Sequence, residues 1–355
     1  MTDLITLPDW PRAHGGFVGR ALLRAEPEDF FVDERLGFPL NGTGDQVWLR
    51  LEKRNSNTAW IAGRIAGFVG VDELDVGFSG LKDRRALTRQ WFSVSLGGRP
   101  EPDWSGLATE DLTLLEVGRH DRKLRRGTHL ANRFHIRLRH FEGDREACGH
   151  TLAQIQGKGF PNYFGEQRFG IGNGNLAAAR QWFAGGVKPK RAEQSYYLSA
   201  VRSLLFNRVL ARRVELDNWD RPLPGDLMIA ADSGQCFPLF KIDDAIQERC
   251  TRREIHPTGP LYGTGEPRAS REAGGMEASI LAEEPFWVQG LDAQRMRPDR
   301  RALRALADGL EWSFEGDALM LSFELPAGAY ATALLREIAQ YRQPAPIQAQ
   351  GQCSN

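Results

Sequence analysis

The chain has 355 residues, of which 41% are hydrophobic and 26% are charged, and its 46 basic and 46 acidic side chains give a formal net charge of zero. This composition excludes a disordered, collagenous or disulfide-stapled chain, and the neutral total gives no sign of a polyanionic partner. Only 7 of the 46 basic residues are lysines, so the other 39 are arginines, which are suited to bidentate binding of phosphate and base edges.

Targeting and redox features are sparse. The amino-terminal residues contain no basic stretch followed by a long apolar one, and no segment approaches the roughly 18 apolar residues of a membrane span. The four cysteines are far apart in the sequence, without the spacing of metal ligands or of a disulfide framework. We therefore expect a cytoplasmic protein with no membrane partner and no bound metal.

The first 150 residues are predicted to form mainly strands. Asn57-Thr58 offers an N-cap for a helix over residues 59–69, where apolar residues recur on one helical face. Alternating or apolar stretches of strand-forming residues predict four strands, over residues 46–53, 89–96, 112–117 and 134–139.

The remainder of the chain begins with helical patterns and ends with a strand and a helix. Residues 198–213 are predicted to form a helix, with Arg202, Arg208, Arg212 and Arg213 on its polar face. Glycine and proline predict a long irregular loop over residues 257–275. A strand over 318–325 and a helix over 330–341 follow. This order predicts an α+β core interrupted by an inserted domain, with the last segment completing the first sheet.

Positive charge is concentrated in residues 119–140, which we call the basic segment. It holds eight basic residues against one acid, Asp121, and four of the seven histidines. Two interpretations are open, a solvated face or a phosphate-binding surface, and the nearly uniform sign favours the second. The candidates for contact with an RNA backbone are Arg119, Arg122, Lys123, Arg125, Arg126, Arg137 and Arg139.

A second charged cluster surrounds Asp83, which is flanked by Lys82, Arg84 and Arg85 directly after a glycine-containing turn. An ordinary surface ion pair would explain this pattern. The alternative is a functional carboxylate on a loop, kept ionised by neighbouring cations. Motifs for dinucleotides, phosphate loops and serine nucleophiles are absent from the sequence, so neither redox nor nucleotide-driven chemistry is indicated.

The segment Gly80–Trp91, with the sequence GLKDRRALTRQW, resembles the catalytic motif of the tRNA pseudouridine synthase D (TruD) family. Other segments resemble that family's blocks in the same order: Pro27–Phe30 with Val32 and Glu34, Asn57–Thr58, Arg122–Arg125, Asn132–Phe134, Pro161–Gly170 and Leu325–Thr332. The resemblance extends from about residue 17 to 341, and the Pro161–Gly170 block, PNYFGEQRFG, is highly specific.

The resemblance implies isomerisation of a uridine in tRNA to pseudouridine, typically uridine 13 in the dihydrouridine arm. It also implies a pseudouridine synthase catalytic core, with a mixed, mainly antiparallel sheet and flanking helices, interrupted by an α/β insertion domain. We expect the catalytic domain over residues 1–157 and 307–345, the insertion over 158–306, and a flexible tail over 346–355.

The resemblance also assigns roles to individual residues. Asp83 matches the catalytic aspartate, Phe30 an active-site aromatic, and Asn132 and Phe134 an Asn-x-Phe motif whose aromatic ring packs against the target base. Two positions depart from the family pattern. Tyr330 stands where the family commonly has phenylalanine, so its hydroxyl needs a partner. Arg24 stands where relatives can have lysine, which keeps the charge.

The chemistry of the implied reaction requires few groups. The N1–C1′ bond of the nucleotide breaks, the base turns, and C5 joins C1′, so substrate and product are isomers and no cofactor is expected. An ionised carboxylate is required either as a nucleophile or as a base toward the 2′ position. Asp83 is the candidate, with Arg24 and Lys82 expected to hold it ionised and oriented. The alternative function is a non-catalytic RNA-binding or chaperone protein that uses the basic segment. We expect a monomer.

Overall fold

The structure is a computed structural model that describes residues 5–265 and 269–344. The predicted flexible tail, residues 346–355, lies outside the described residues. In the part of the chain that is described, no helix is long and apolar enough to cross a lipid bilayer.

The described residues contain both strands and helices. The strands are β1 (Gly19–Leu23), β2 (Phe30–Arg35), β3 (Gln46–Arg54), β4 (Val76–Phe78), β5 (Leu87–Ser95), β6 (Leu112–His120), β7 (Ala131–Gly143), β8 (Phe160–Pro161), β9 (Leu227–Ala230), β10 (Cys236–Pro238), β11 (Ile255–Leu261), β12 (Asp299–Ala302), β13 (Arg304–Ala305), β14 (Asp308–Glu315), β15 (Ala318–Pro326) and β16 (Ala339–Arg342). The helices are α1 (Thr58–Val69), α2 (Arg145–Lys158), α3 (Gly174–Phe183), α4 (Arg191–Glu215), α5 (Asp244–Thr251), α6 (Arg271–Ala282), α7 (Pro285–Ala293) and α8 (Ala331–Ile338). The mainly antiparallel strand pairing confirms the predicted α+β class.

The chain divides into two compact units, each assembled from separate stretches. We call the first the sheet unit; it comprises residues 18–148, 307–328 and 339–344. The second, the central unit, comprises residues 5–17, 149–306 and 329–338, apart from the undescribed residues 266–268. The domain boundaries expected from the sequence stay a prediction.

The sheet unit is built on one ten-stranded sheet in which seven strands follow the order β14-β15-β7-β2-β5-β3-β6. β1 pairs with β7 and β16, and β4 pairs with β5. Among the described strands of this sheet, only the β2–β5 and β1–β16 pairs are parallel. The predicted strands in residues 46–53, 89–96, 112–117, 134–139 and 318–325 are confirmed within one or two residues at most ends, although β6 and β7 extend further.

Helix α1 covers one face of this sheet. The Asn57 side chain accepts a hydrogen bond from the Ala59 amide, which confirms the predicted N-cap, and Gly70 ends the helix with a φ of +69°. The helix buries Ile61 and Ile65 against the apolar side chains of β3 and β5. Burial of this apolar stripe holds α1, and with it the first turn at Thr58, in a fixed position on the sheet.

The central unit contains a four-stranded antiparallel sheet in the order β10-β9-β11-β12, with α4 against β11. The loop predicted over residues 257–275 is wrong at both ends, because β11 continues to Leu261 and α6 begins at Arg271. Pro257 lacks an amide hydrogen, but its carbonyl still accepts from Leu303 at 2.9 Å. Proline therefore occurs inside a strand without breaking it here.

Two other expectations need correction. The helix predicted over residues 330–341 ends at Ile338, because the following residues form β16 and pair with β1. Arg213, expected on the polar face of α4, is buried and forms two hydrogen bonds of 3.0 Å with the carboxylate of Asp226. A bidentate partner offsets the desolvation of the buried guanidinium group, which sequence periodicity does not reveal.

Candidate active site

The carboxylate candidate lies on a loop between β4 and β5, over residues 79–86, which we call the Asp83 loop. Thr58 Oγ1, at the start of α1, accepts from the Lys82 amide at 3.0 Å and donates to Gln90 Oε1 at 3.1 Å. Gln90 Nε2, on β5, donates to the Gly80 carbonyl at 2.6 Å. These hydrogen bonds attach the loop backbone to both a helix and a strand, which fixes the position from which Asp83 projects.

Asp83 forms an ion pair with Arg24. Arg24 Nη2 lies 3.0 Å from Asp83 Oδ2, and the Asp83 side chain keeps 26% of its surface exposed. The Arg24 guanidinium also lies over the Phe30 ring, 4.0 Å from its centroid, and donates to Gln343 Oε1 at 3.2 Å. Arg24 therefore links the carboxylate to an aromatic ring, while one side of the carboxylate stays open to solvent.

Arg24 has an unusual backbone conformation, with a φ of +59° directly after β1. A non-glycine residue in the left-handed region is uncommon and costs free energy. The surrounding contacts with Asp83, Phe30 and Gln343 hold the side chain in this arrangement. Such conformations are concentrated at functional sites, so this one supports the choice of Arg24 as a site residue.

The Lys82 side chain, which was expected to orient Asp83, contacts Glu34 and Asn132. Its ammonium group lies 2.6 Å from Glu34 Oε2 and donates to Asn132 Oδ1 at 2.7 Å, and all three residues are buried. Glu34 Oε1 also accepts from the Trp91 amide at 3.2 Å. Lys82 thus compensates a buried carboxylate on β2 instead of pairing with Asp83. The reason is that Lys82 points into the core, whereas Asp83 remains half-exposed.

Lys53 is a further buried cation close to these groups. Its side chain is fully buried, and Nζ donates to the Ser56 carbonyl at 2.7 Å. Burial lowers the pKa of Lys53 to about 8; the negative charge of Asp83 opposes this shift and the positive charge of Lys82 adds to it. Both of these electrostatic partners belong to the Asp83 loop, so the charge on Lys53 is coupled to the carboxylate.

The register of β2 and β7 brings the candidate aromatics and amide together. Glu34 pairs directly with Asn132, and Phe30 with Ile136, so alternate residues of both strands share one buried face. The Phe30 and Phe134 rings meet edge to face with centroids 5.9 Å apart, and Phe134 also stacks on Phe323 at 5.4 Å. Both candidate rings are thus packed by protein neighbours.

The basic segment contains paired and exposed charges. Arg139 forms an ion pair of 2.9 Å with buried Asp29, and Arg119 pairs with Glu101. Lys123 donates to the Leu74 carbonyl, and Arg137 is half-buried. Most of the exposed members lie in the loop between β6 and β7, although Arg133 on β7 is exposed as well. The Arg122 side chain keeps 84% of its surface accessible, and its Nε lies 4.0 Å from Asp121 Oδ2. Arg125 and Arg126 are also exposed there.

A family model described as tRNA pseudouridine synthase D (TruD) matches residues 14–178 and 189–338, which is most of the chain. The chain belongs to the TruD family. The resemblance stated from the sequence motifs is thereby confirmed. Similar relatives include the tRNA pseudouridine synthase D of Nitrosococcus oceani, 48% identical over 337 residues that cover 93% of this chain and 94% of that protein. That of Methylococcus capsulatus is 46% identical over 335 residues, covering 94% and 95%.

A solved structure has a similar fold. It is the crystal structure of a candidate TruD protein from Methanosarcina mazei, with a TM-score of 0.69 and 21% sequence identity. The match covers 94% of this chain and 98% of that chain. This similarity confirms the fold class expected from the sequence.

Tyr330, the departure from the TruD pattern, belongs to the central unit. Its hydroxyl accepts from Arg168 Nε at 3.0 Å, which supplies the partner that the sequence required. Arg168 also donates to Ser199 Oγ at 2.9 Å, and the Tyr330 ring meets Phe164 edge to face at 5.9 Å. Arg168 and Phe164 both come from the Pro161–Gly170 block, so this block holds Tyr330 in place.

Sequence reasoning assigned no role to several residues on or near the Asp83 loop of this TruD-family chain: Glu34, Lys53, Ser79 and His129. One of them, Lys53, could have been recognised from the sequence pattern of β3. Val47, Leu49 and Leu51 alternate on the buried face of β3, and Lys53 continues that alternation as a charged residue at an inward position. In the described residues, no group of three or more His, Cys, Asp or Glu side chains could hold a metal ion.

Proposed function

We propose that this chain isomerises a uridine of tRNA to pseudouridine and that Asp83 is its catalytic carboxylate. The observation that carries the proposal is the geometry of the Asp83 loop. An accessible carboxylate projects from a backbone held on two sides and pairs at 3.0 Å with Arg24, which also covers Phe30. A preorganised, ionised carboxylate beside an aromatic ring suits attack on, or proton removal from, a nucleotide sugar.

The proposed substrate is uridine 13 in the dihydrouridine arm. The target base must leave its stack, which costs a few kcal/mol that contacts with the protein offset. We assign Phe30 and Phe134 to the substrate site as aromatic residues and Asn132 as a hydrogen-bonding group; for Tyr330, in the central unit, contact with the target base stays the expectation that the family resemblance gives. The exposed arginines of the basic segment are assigned to the RNA backbone.

The proposal needs neither an electron acceptor nor a phosphoryl donor, because the product is an isomer of the substrate. Two roles remain open for Asp83: nucleophile at C1′, or base toward the 2′ position. Both roles use the carboxylate that pairs with Arg24 at 3.0 Å. We also propose that the protein acts as a monomer in the cytoplasm, where tRNA is modified.

The test is Asp83→Asn, which preserves the size of the side chain and removes its charge. Tritium release from tRNA labelled at uridine C5 should fall by more than about a thousandfold, while tRNA affinity stays within about twofold. Arg84→Gln, an exposed change on the same loop, is the matched control and should keep most activity. Full turnover by Asp83→Asn would exclude the proposed role.

The position and the alternative function are tested with the wild-type protein. A tRNA with cytidine at position 13 should release no tritium, while a tRNA changed at another uridine of the same arm should react normally. A non-catalytic RNA-binding protein would bind tRNA in a salt-dependent way and would form no pseudouridine. Binding without any product in the wild type would therefore favour the RNA-binding alternative.

A further inference from the structure

A continuous chain of buried polar side chains connects the Asp83 loop to β2 and β7. It runs through Ser79, His129, Asn132, Lys82 and Glu34, each of which is buried. Ser79 Oγ contacts His129 Nδ1, His129 Nε2 lies 3.1 Å from Asn132 Nδ2, and Asn132 Oδ1 lies 2.7 Å from Lys82 Nζ. Buried polar groups in such a chain constrain one another's orientation, because each contact needs a donor that faces an acceptor.

The donors and acceptors in this chain can be assigned from the Lys82 end. A lysine ammonium group only donates, so the Asn132 amide must turn its oxygen toward Lys82. The Asn132 nitrogen then faces His129, and Nε2 of the ring must accept. An accepting Nε2 places the ring proton on Nδ1, which donates to Ser79 Oγ. The same oxygen accepts from the His129 amide at 2.9 Å.

The charge state of His129 agrees with this assignment. Burial, together with the positive charge of Lys82, lowers the pKa of His129 to about 4. The ring is therefore neutral at neutral pH. A protonated ring would direct an N–H group at the Asn132 nitrogen, so two donors would face each other.

We propose that His129 is a positioning residue whose neutral ring fixes the orientation of the Asn132 amide in the substrate site. This inference rests on the proposed function, which assigns Asn132 to the target uridine. His129 is buried and both of its ring nitrogens have protein partners, so its effect passes through Asn132. Turning the amide over would place its nitrogen against the Lys82 ammonium group, so His129 and Lys82 together select one orientation.

The first experiment is a double-mutant cycle. His129→Leu removes the acceptor and should lower kcat for tRNA by about ten- to a hundredfold, with KM within about twofold, because a buried amide hydrogen loses its partner. His129→Gln can place an oxygen near the position of Nε2 and should recover most of the loss. In an Asn132→Ala background, His129→Leu should change kcat by less than about twofold.

A purely structural role predicts a different result. His129→Leu would then reduce kcat by the same factor with and without Asn132, and His129→Gln would recover nothing. Either of these outcomes, or a His129→Leu protein with wild-type kcat, would overturn the inference.

A second measurement needs no variant. Nitrogen NMR of the wild-type protein with labelled histidine should show His129 as the Nδ1–H tautomer between pH 5.5 and 8. An Nε2–H tautomer, or a ring that titrates near its ordinary pKa, would contradict the assignment even if His129→Leu did not fold. An active wild type with these results would overturn only the role of His129, whereas a wild type that forms no pseudouridine would overturn the proposed function as well.

Discussion

The Asp83 loop and the basic segment are both rich in positive charge, but their charged side chains differ in burial and in pairing. Around the loop, Arg24, Lys53 and Lys82 are buried and each has a defined hydrogen-bond or ion-pair partner. In the basic segment, Arg122 keeps 84% of its side chain exposed, and Arg125 is exposed as well. Buried charged side chains are held in one geometry by their partners, which suits catalysis. Exposed charged side chains can change conformation to fit a ligand, which suits binding.

The basic segment itself contains both paired and exposed side chains. Arg139 compensates buried Asp29, so part of its charge serves the fold of the sheet unit. Arg119 is also paired, with Glu101. The exposed charge is concentrated in the loop between β6 and β7. The local excess seen in the sequence therefore overstates the charge that is available to RNA.

The largest effect is expected from breaking the buried pair at Lys82. Lys82→Met leaves the Glu34 carboxylate without its cation, and the free energy of unfolding should fall by about 3–5 kcal/mol. Chemical denaturation measures this loss. The exposed neighbour Arg84→Met is the matched control and should change stability by less than about 0.5 kcal/mol.

A second variant sharpens this prediction. Adding Glu34→Gln to Lys82→Met removes the uncompensated charge and should restore a large part of the lost stability. If the double variant is as unstable as Lys82→Met alone, the loss comes from packing and not from the buried charge.

The exposed arginines should affect binding instead of stability. Changing Arg122, Arg125 and Arg126 together to glutamine should weaken tRNA binding by about ten- to a hundredfold near 0.1 M salt. The slope of the logarithm of the binding constant against the logarithm of the salt concentration should fall in magnitude by about two. Fluorescence anisotropy over a salt series measures both quantities. The corresponding triple change to lysine keeps the charge and should keep the salt slope. An unchanged slope in the glutamine variant would remove this loop from the RNA interface.

Much of this contrast could be predicted from the sequence, and the rest depended on tertiary contacts. Alternation along β3 and β7 predicted the strands because one face of each is buried. The basic segment was visible as a local charge, but the pairing of Arg139 with Asp29 joins residues 110 positions apart. The same holds for Ser79 and His129, whose contact spans 50 positions. No local pattern reports such pairs, so the buried network around Asp83 became visible only in the structure.

The smallest effect concerns the pH dependence introduced by Lys53. In the unfolded chain, the Lys53 ammonium group keeps its proton up to about pH 10.5, whereas burial lowers the pKa of Lys53 to about 8 in the folded protein. Between pH 8 and 10.5 the unfolded state binds more protons than the folded state. The free energy of unfolding therefore rises with pH over this range, and this gain is lost again as pH falls toward 8. Lys53→Met cannot titrate. From pH 8 to 10, the free energy of unfolding of the wild type should therefore rise relative to Lys53→Met by about 1–2 kcal/mol. Denaturant unfolding of both proteins at several pH values measures this difference, and a constant difference would show that Lys53 keeps its ordinary pKa despite complete burial.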